Sequence, residues 1–416
     1  MIKQNMDFRN LFLGRLFLNL GDSLVYILFM WFLYDFTKDS LFAGIAAFFF
    51  SLPSLFGIFW GPIVDNADNK KLLTTLSKIM ITSMLILSTF TNILGPNLYV
   101  LLAFIPILAF ASELSYPIGE SLMPKIVKGS DLTKANSLIM ISSTGADLFF
   151  NAGSAVIISF FSFDKMLFLV SLIFLTSYIF FNRIQYKKVE SDKEIKKNWG
   201  VKRYINDLKE GVKFVKEPIV FLLLSPLIVF NFVYAVFYVG LPEFSSLYFN
   251  SPSVYGIILM LLGAGSIIGS VMSEYLSKRI KIGYLVSFSY LISGLSWIFA
   301  IYLISRNLFI LSICFVVLAG MSNGVVNIAY SVLFQKLPDN DMIGRVHTIN
   351  MTLLNSTAPM ASLLGGFFVR SFGSVHTILY SGLILSLVSL LILLNRQFRR
   401  LPKIEDITSI DSVRNK

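Results

Sequence analysis

Apolar runs of about 20 residues, the length an α-helix needs to cross a ~30 Å hydrocarbon core, recur along this whole chain. They fall near residues 10–34, 41–62, 72–92, 98–122, 135–161, 164–183, 219–249, 254–275, 282–304, 307–334, 346–369 and 374–395. At that depth no water satisfies an exposed backbone, so a spanning segment is a helix or part of a closed barrel, and these runs lack the short alternation of a barrel strand. The pattern predicts an all-α polytopic membrane protein with twelve transmembrane helices. Composition agrees: charged residues are only 14% of the chain, against about 25% in a soluble domain. The first run begins near Asn10, is too long for a signal-peptide core and has no small-residue cleavage pattern behind it, so it is expected to stay in the mature protein.

The net charge of +11 follows the spans. Lys70, Lys71 and Lys78, then Lys125, Lys128 and Lys134, the dense stretch 183–216, Lys278 with Arg279 and Lys281, Lys336 with Arg345, and Arg396 with Arg399 and Arg400 occupy alternate connections. The intervening connections hold only Lys38, Lys165, Arg306 and Arg370. By the positive-inside rule both termini and the long central connection are cytoplasmic, in a bacterial plasma membrane. The charge is thus a topology signal, and no nucleic-acid partner is expected.

One long polar segment divides the spans six and six. The expected organisation is an N-terminal six-helix bundle over 1–184, a linker over 185–218, a second six-helix bundle over 219–396 and a cytoplasmic tail over 397–416. In the linker, Tyr204, Ile205, Leu208, Val212 and Val215 form one stripe of an amphipathic helix expected at the inner membrane surface. The halves repeat weakly: Gly44 and Gly57 have the separation of Gly256 and Gly269, and the connection Lys125 to Asn136 parallels Lys336 to His347. Duplicated halves of this kind place a binding site between them near the midplane, opened alternately to each side.

Between the second and third runs lies Gly61-Pro62-Ile63-Val64-Asp65-Asn66-Ala67-Asp68-Asn69-Lys70-Lys71. Its Gly61, Asp65, Lys70 and Lys71 resemble the Gly-x-x-x-Asp-(basic)-x-x-(basic)-(basic) signature of the major facilitator superfamily. Asn66 and Asn69 stand where that family prefers Arg, and Asp68 resembles the branch of macrolide-efflux proteins and siderophore exporters. Gly21-Asp22, Thr37 to Ser40, Asp207 to Val215, Leu337-Pro338-Asp339 and Gly344-Arg345-Val346 resemble the same branch. The resemblance implies two six-helix bundles related by pseudo-two-fold symmetry, with Gly61, Asp65, Asp68, Lys70 and Lys71 as a conformational latch. An aspartate there can meet a helix N-terminus or a cation in one state and release it in another.

Ionisable side chains at membrane depth are costly and usually functional. Arg15 and Asp22 stand two turns apart on one face of the first span, Glu113 is in the fourth and Asp147 in the fifth. The resemblance places spans one and four along the central cavity, so Asp22 and Glu113, with Arg15 and Asp147, are the proton-coupling candidates; a static Arg15–Asp22 pair is the structural alternative. Burial favours a neutral carboxyl and a nearby guanidinium favours a charged one, the balance a proton carrier needs. The second half offers Asn231, Tyr234, Tyr238, Asn323, Asn327, Tyr330 and Asn355 as substrate-binding candidates, suited to a large, mostly apolar or weakly cationic solute. Glu243 is expected to mark the outer rim of span seven and Glu274 the inner boundary of span eight.

No phosphate-binding loop ends in Lys-Ser or Lys-Thr, so ATP-driven transport by this chain, and enzymatic activity generally, are not expected. Gly263 to Gly269 is read as close helix packing rather than a nucleotide loop. His347 and His376 lack companion ligands, so no metal and no cofactor are expected. Cys314, the single cysteine, is expected to be a buried packing residue. The resulting reading is a monomeric secondary transporter exporting an amphipathic solute, macrolide-like drug or secreted metabolite, against protons. An importer, or a non-transporting assembly or secretion partner of the same fold, is the alternative.

Overall fold

The computed structural model describes residues 5–57, 68–127, 160–185, 216–337 and 343–407, with scattered positions between 60 and 158; the side chains of 335, 343–353 and 355 are outside the description. Its regular secondary structure in these residues is helical. Two compact units partition the chain: Met1–Asn198 with Ser245–Ile257, and Trp199–Phe244 with Ile258–Lys416. Among the described residues nine helices are long and apolar enough to cross a membrane. The remaining expected spans are the shorter stretch Ser40–Phe56, the more polar helix Ile343–Phe372, and 135–161, most of which lies outside the described residues together with the amphipathic linker stripe.

The first unit contains α1 (Met6–Thr37), α2 (Ser40–Ser51), α3 (Asn69–Leu94), α4 (Leu98–Ile126) and α5 (Phe163–Asn182). Asn5 caps α1, its side chain accepting from the Phe8 amide at 2.9 Å. The same side chain donates to the Ile126 carbonyl at 2.8 Å, joining the start of α1 to the end of α4. Asp7 accepts from the Gln185 amide at 2.8 Å just beyond α5. Capping residues thus knit three helix ends while satisfying donors that a helix start leaves unpaired. After α2 the chain tightens into a 3₁₀ turn over Leu52–Phe56, where Pro53 has no amide to continue the α-helical ladder.

Small residues set the packing inside the unit. Phe181 and Phe174 on α5 lie against Gly14 and Gly21 on α1, where a Cβ would overlap each ring. The buried Ser177 hydroxyl donates to the Gly14 carbonyl at 2.8 Å. Lipid is as apolar as leucine, so helices here gain by close approach and interhelical hydrogen bonds rather than by hiding from water.

The second unit contains α6 (Pro218–Phe249) up to Phe244, α7 (Pro252–Arg279) from Ile258, α8 (Ile282–Ser305), α9 (Phe309–Lys336), α10 (Ile343–Phe372), α11 (Ser374–Leu394) and the short α12 (Arg396–Arg400). On α7 and α9, Gly265, Gly269, Gly320 and Gly324 interdigitate: a Cβ at any of them would overlap backbone of the other helix, at Val317, Met321, Leu262 and Ser266 respectively. The expectation of close packing for Gly263 to Gly269 matches this seam. Ser287 on α8 bonds Ser389 on α11 through both hydroxyls at 2.8 Å. Glu243 accepts from the Ser374 amide at 2.9 Å, capping α11 from α6.

Residues past α11 fold back onto the same unit. Phe398, Leu401, Ile404 and Ile407 are buried in one apolar cluster with Val220, Ile282, Leu285, Leu337 and Ile392. Lys336 donates to the Ile404 carbonyl at 3.0 Å, and the Ile282 amide donates to the Pro402 carbonyl at 3.2 Å. Elsewhere the outward faces are apolar, with Val271 72% and Ile310 83% exposed, as lipid contact demands. Cys314 is on such a face: it is exposed, not buried as expected. The expectation rests on soluble proteins, where an exposed surface is wet; in a bilayer the exposed surface is where an apolar thiol belongs.

Candidate functional site

In the first unit α1 and α4, both long and apolar enough to cross a membrane, carry a polar cluster. Asp22 is close to the middle of the 32-residue α1. Its Oδ2 accepts from the Ser112 hydroxyl at 2.6 Å and from the Tyr116 hydroxyl at 3.1 Å. Ser112 and Tyr116 are one turn apart on α4 and so share a face. Two turns before Asp22, Arg15 is only 8% exposed. Its guanidinium carbon stands 4.9 Å from the centre of the Tyr116 ring, and Nη1 donates to the Tyr116 carbonyl at 3.5 Å. Gly119 makes room for it, since a Cβ there would lie 3.3 Å from Nη1.

Tyr116 is therefore the hinge of the cluster, with its hydroxyl on the acid and its ring and carbonyl on the base. Arg15 and Asp22 do not form the direct pair considered above. Glu113 is half-buried and has no hydrogen bond or ion pair among the described residues, so it is near the cluster in sequence but not bonded into it. Pro117 cannot donate to the Glu113 carbonyl and interrupts the α4 ladder next to Tyr116. Asp147 lies outside the described residues. Ser112 and Tyr116 are missing from the sequence-derived candidates; nothing in the sequence singles them out from the other serines and tyrosines of the spans.

Of the latch candidates, Gly61 and Asp65 lie outside the described residues. Asp68 is the N-cap of α3, accepting from the Lys71 amide at 3.1 Å. Lys70 and Lys71 occupy the first turn that follows. Asn69, beside them, is buried and donates to the Ser121 hydroxyl on α4 at 3.0 Å. The position where an arginine was expected is thus a short neutral tie between α3 and α4.

In the second unit, Tyr234 is buried, pairing with the Ser293 hydroxyl at 3.0 Å and donating to the Ala319 carbonyl at 3.3 Å. Tyr330 is buried in the same apolar core. Tyr238 is half-buried beside Tyr234, ring centres 6.1 Å apart. Asn231 donates to its own helix at Leu227 (2.9 Å). Asn327, exposed, donates to Asn323 at 2.8 Å, so these two amides form a pre-oriented pair on α9. The Asn355 side chain is outside the description. Among the described residues no group of three or more His, Cys, Asp or Glu is placed to hold a metal ion.

The profile of the Major Facilitator Superfamily matches residues 11–362. The chain belongs to that superfamily. It is similar to an uncharacterized MFS-type transporter, YkuC, of Bacillus subtilis, with 25% identity over 368 residues, covering 83% of this chain and 81% of that one. It also resembles macrolide efflux protein A of Streptococcus pyogenes, 23% identical over 200 residues, about half of each chain (48% and 49%). Among solved structures, the nucleoside transporter NupG superposes with a TM-score of 0.72 at 12% identity, covering 94% of this chain and all of that one (100%). A bacterial homologue of the iron transporter ferroportin, inward-facing, gives 0.66 at 16% identity, covering 94% and 99%. These likenesses show the fold. This superfamily member is a multi-pass membrane transporter for a small-molecule substrate.

Proposed function

We propose that this transporter is a proton-coupled exporter of a large amphipathic solute, with Asp22 as the proton carrier. The observation that carries the reading is Asp22, near the middle of α1, held by two hydroxyls of α4, with Arg15 one side chain away across Tyr116. A carboxylate in a bilayer is retained where it does work, and the hydroxyls can serve either protonation state, accepting from the acid or donating to its anion. Efflux is supported by the partial resemblance to macrolide efflux protein A. The distribution of basic residues supports a plasma-membrane protein with both termini cytoplasmic, and we take it to work as a monomer. Asp65 with Gly61, Lys70 and Lys71 serves as the latch between states, and Asn323 with Asn327 orients the solute from the second half.

The test is transport by purified protein in proteoliposomes, with and without an imposed proton gradient, using dyes and macrolides as solutes. Gradient-driven flux in wild type and its loss in Asp22→Asn, with the variant still folded and inserted, is the expected result. Flux that ignores the gradient removes proton coupling, and uptake into cells carrying the gene makes the protein an importer.

A further inference from the structure

Among the described residues Arg15 is a buried cation that forms no ion pair. Asp22 bonds to Ser112 and Tyr116, Glu113 forms no ion pair, and Glu120, one turn beyond Tyr116 on α4, attracts the guanidinium only from an exposed position, without a hydrogen bond or ion pair to it. A guanidinium has five N–H donors, and here its contacts are one long bond from Nη1 to a carbonyl and the face of the Tyr116 ring. Nε is enclosed and has no partner. Nη2 makes no hydrogen bond either, yet is not sealed in. These two nitrogens form one edge of the planar fork, the edge whose paired N–H groups match the two oxygens of a carboxylate or phosphate. A charge removed from water and left without a close partner is among the costliest arrangements a protein keeps, so the edge calls for a partner beyond the described residues.

We infer that the transported solute carries an anionic oxygen group, a carboxylate or a phosphate ester, that docks on the Nε and Nη2 edge of Arg15 in the first unit. This rests on the transport reading and narrows its substrate class: an apolar body with an acidic head. Nη2 makes first contact, and the hold becomes bidentate when the side chains covering Nε give way around the group. Tyr116 then couples the two events, because the ring that flanks the docked anion carries the hydroxyl bonded to Asp22.

The experiment uses the full-length protein in proteoliposomes and four solutes that share one ring system: 1-naphthoate, 1-naphthyl phosphate, neutral 1-naphthamide and cationic 1-naphthylmethylammonium. Wild type is expected to bind and transport one or both anions at least about tenfold better than the amide, the worth of a charge-assisted hydrogen bond; which anion wins tells carboxylate from phosphate. Arg15→Gln should erase that preference, and Arg15→Lys should keep the charge but lose the bidentate part. Should Arg15→Gln fail to fold, Gly119→Ala, which crowds Nη1 without removing the charge, should lower anion preference several-fold on its own. Equal handling of amide and anions by wild type, or an anion preference that survives Arg15→Gln, overturns the inference. Asp22-dependent flux of the cation or amide alone overturns it while leaving the transport reading standing, whereas absence of gradient-driven flux for every solute, dyes and macrolides included, overturns that reading too.

Discussion

Tyr116 engages opposite charges with different parts of one side chain, and those parts can be removed separately. Tyr116→Phe takes away only the hydroxyl at 3.1 Å from Asp22 and leaves the ring over Arg15. It should cost about 1 kcal/mol of stability and slow gradient-driven flux, while anion preference at Arg15 persists. Ser112→Ala, removing the bond at 2.6 Å, should act the same way. Thermal unfolding in detergent and proteoliposome flux check both, and flux unchanged in the double variant would detach Asp22 from this hydroxyl pair. Arg15 and Asp22 were legible in the sequence because a charge in an apolar run is rare and expensive. Their hydroxyl partners were not, since serine and tyrosine are cheap in a membrane helix and occur throughout this chain. Their identity depends on which turn of α4 faces which turn of α1, a matter of packing rather than of composition.

At the scale of elements, the glycine seam of α7 and α9 permits a sharp comparison. A Cβ at Gly269 would overlap the Met321 backbone, whereas one at Gly57 meets nothing within 4 Å. Gly269→Ala should therefore destabilise by at least about 2 kcal/mol, and Gly57→Ala by less than about 0.5 kcal/mol, read as shifts in thermal unfolding. The two positions are equivalents in the weak sequence repeat of the halves, so the repeat is readable from the chain but does not say which copies carry tight packing. Helix existence was legible from run length, while the caps at Asn5 and Asp39, the 3₁₀ turn at Pro53 and the tie between Asn69 and Ser121 were not. Residues 397–407 make the same point: 397–416 reads as a tail, yet Phe398 is 4% exposed in the core cluster and Arg399 is exposed. Phe398→Ala should cost about 3 kcal/mol, and Arg399→Ala almost nothing. Equal melting of the two variants would show that this segment does not brace the helix ends.

For the whole molecule, orientation follows from electrostatics and is open to direct test. Lys71, Lys281 and Arg400 are exposed at connections rich in basic residues, and Pro96, Lys165 and Arg306 are exposed at the sparsely charged ones between. Retention of lysine and arginine on the cytoplasmic side predicts the first set inside and the second outside. With Cys314→Ser as parent, which removes the single thiol of the chain, each of the six can be changed to cysteine in turn. A membrane-impermeant maleimide added to intact cells should label Pro96→Cys, Lys165→Cys and Arg306→Cys at once, and Lys71→Cys, Lys281→Cys and Arg400→Cys only after the membrane is opened. The outcome bears on mechanism as well as topology: Arg15 is nearer the α1 end whose neighbour is the α4 terminus at Ile126, so a cytoplasmic placement of Lys71 and Arg400 puts the guanidinium on the cytoplasmic side of Asp22. An exported anion would then meet Arg15 before the proton on Asp22 is exchanged, and reversal of the labelling pattern would reverse that order and remove the physical basis for export.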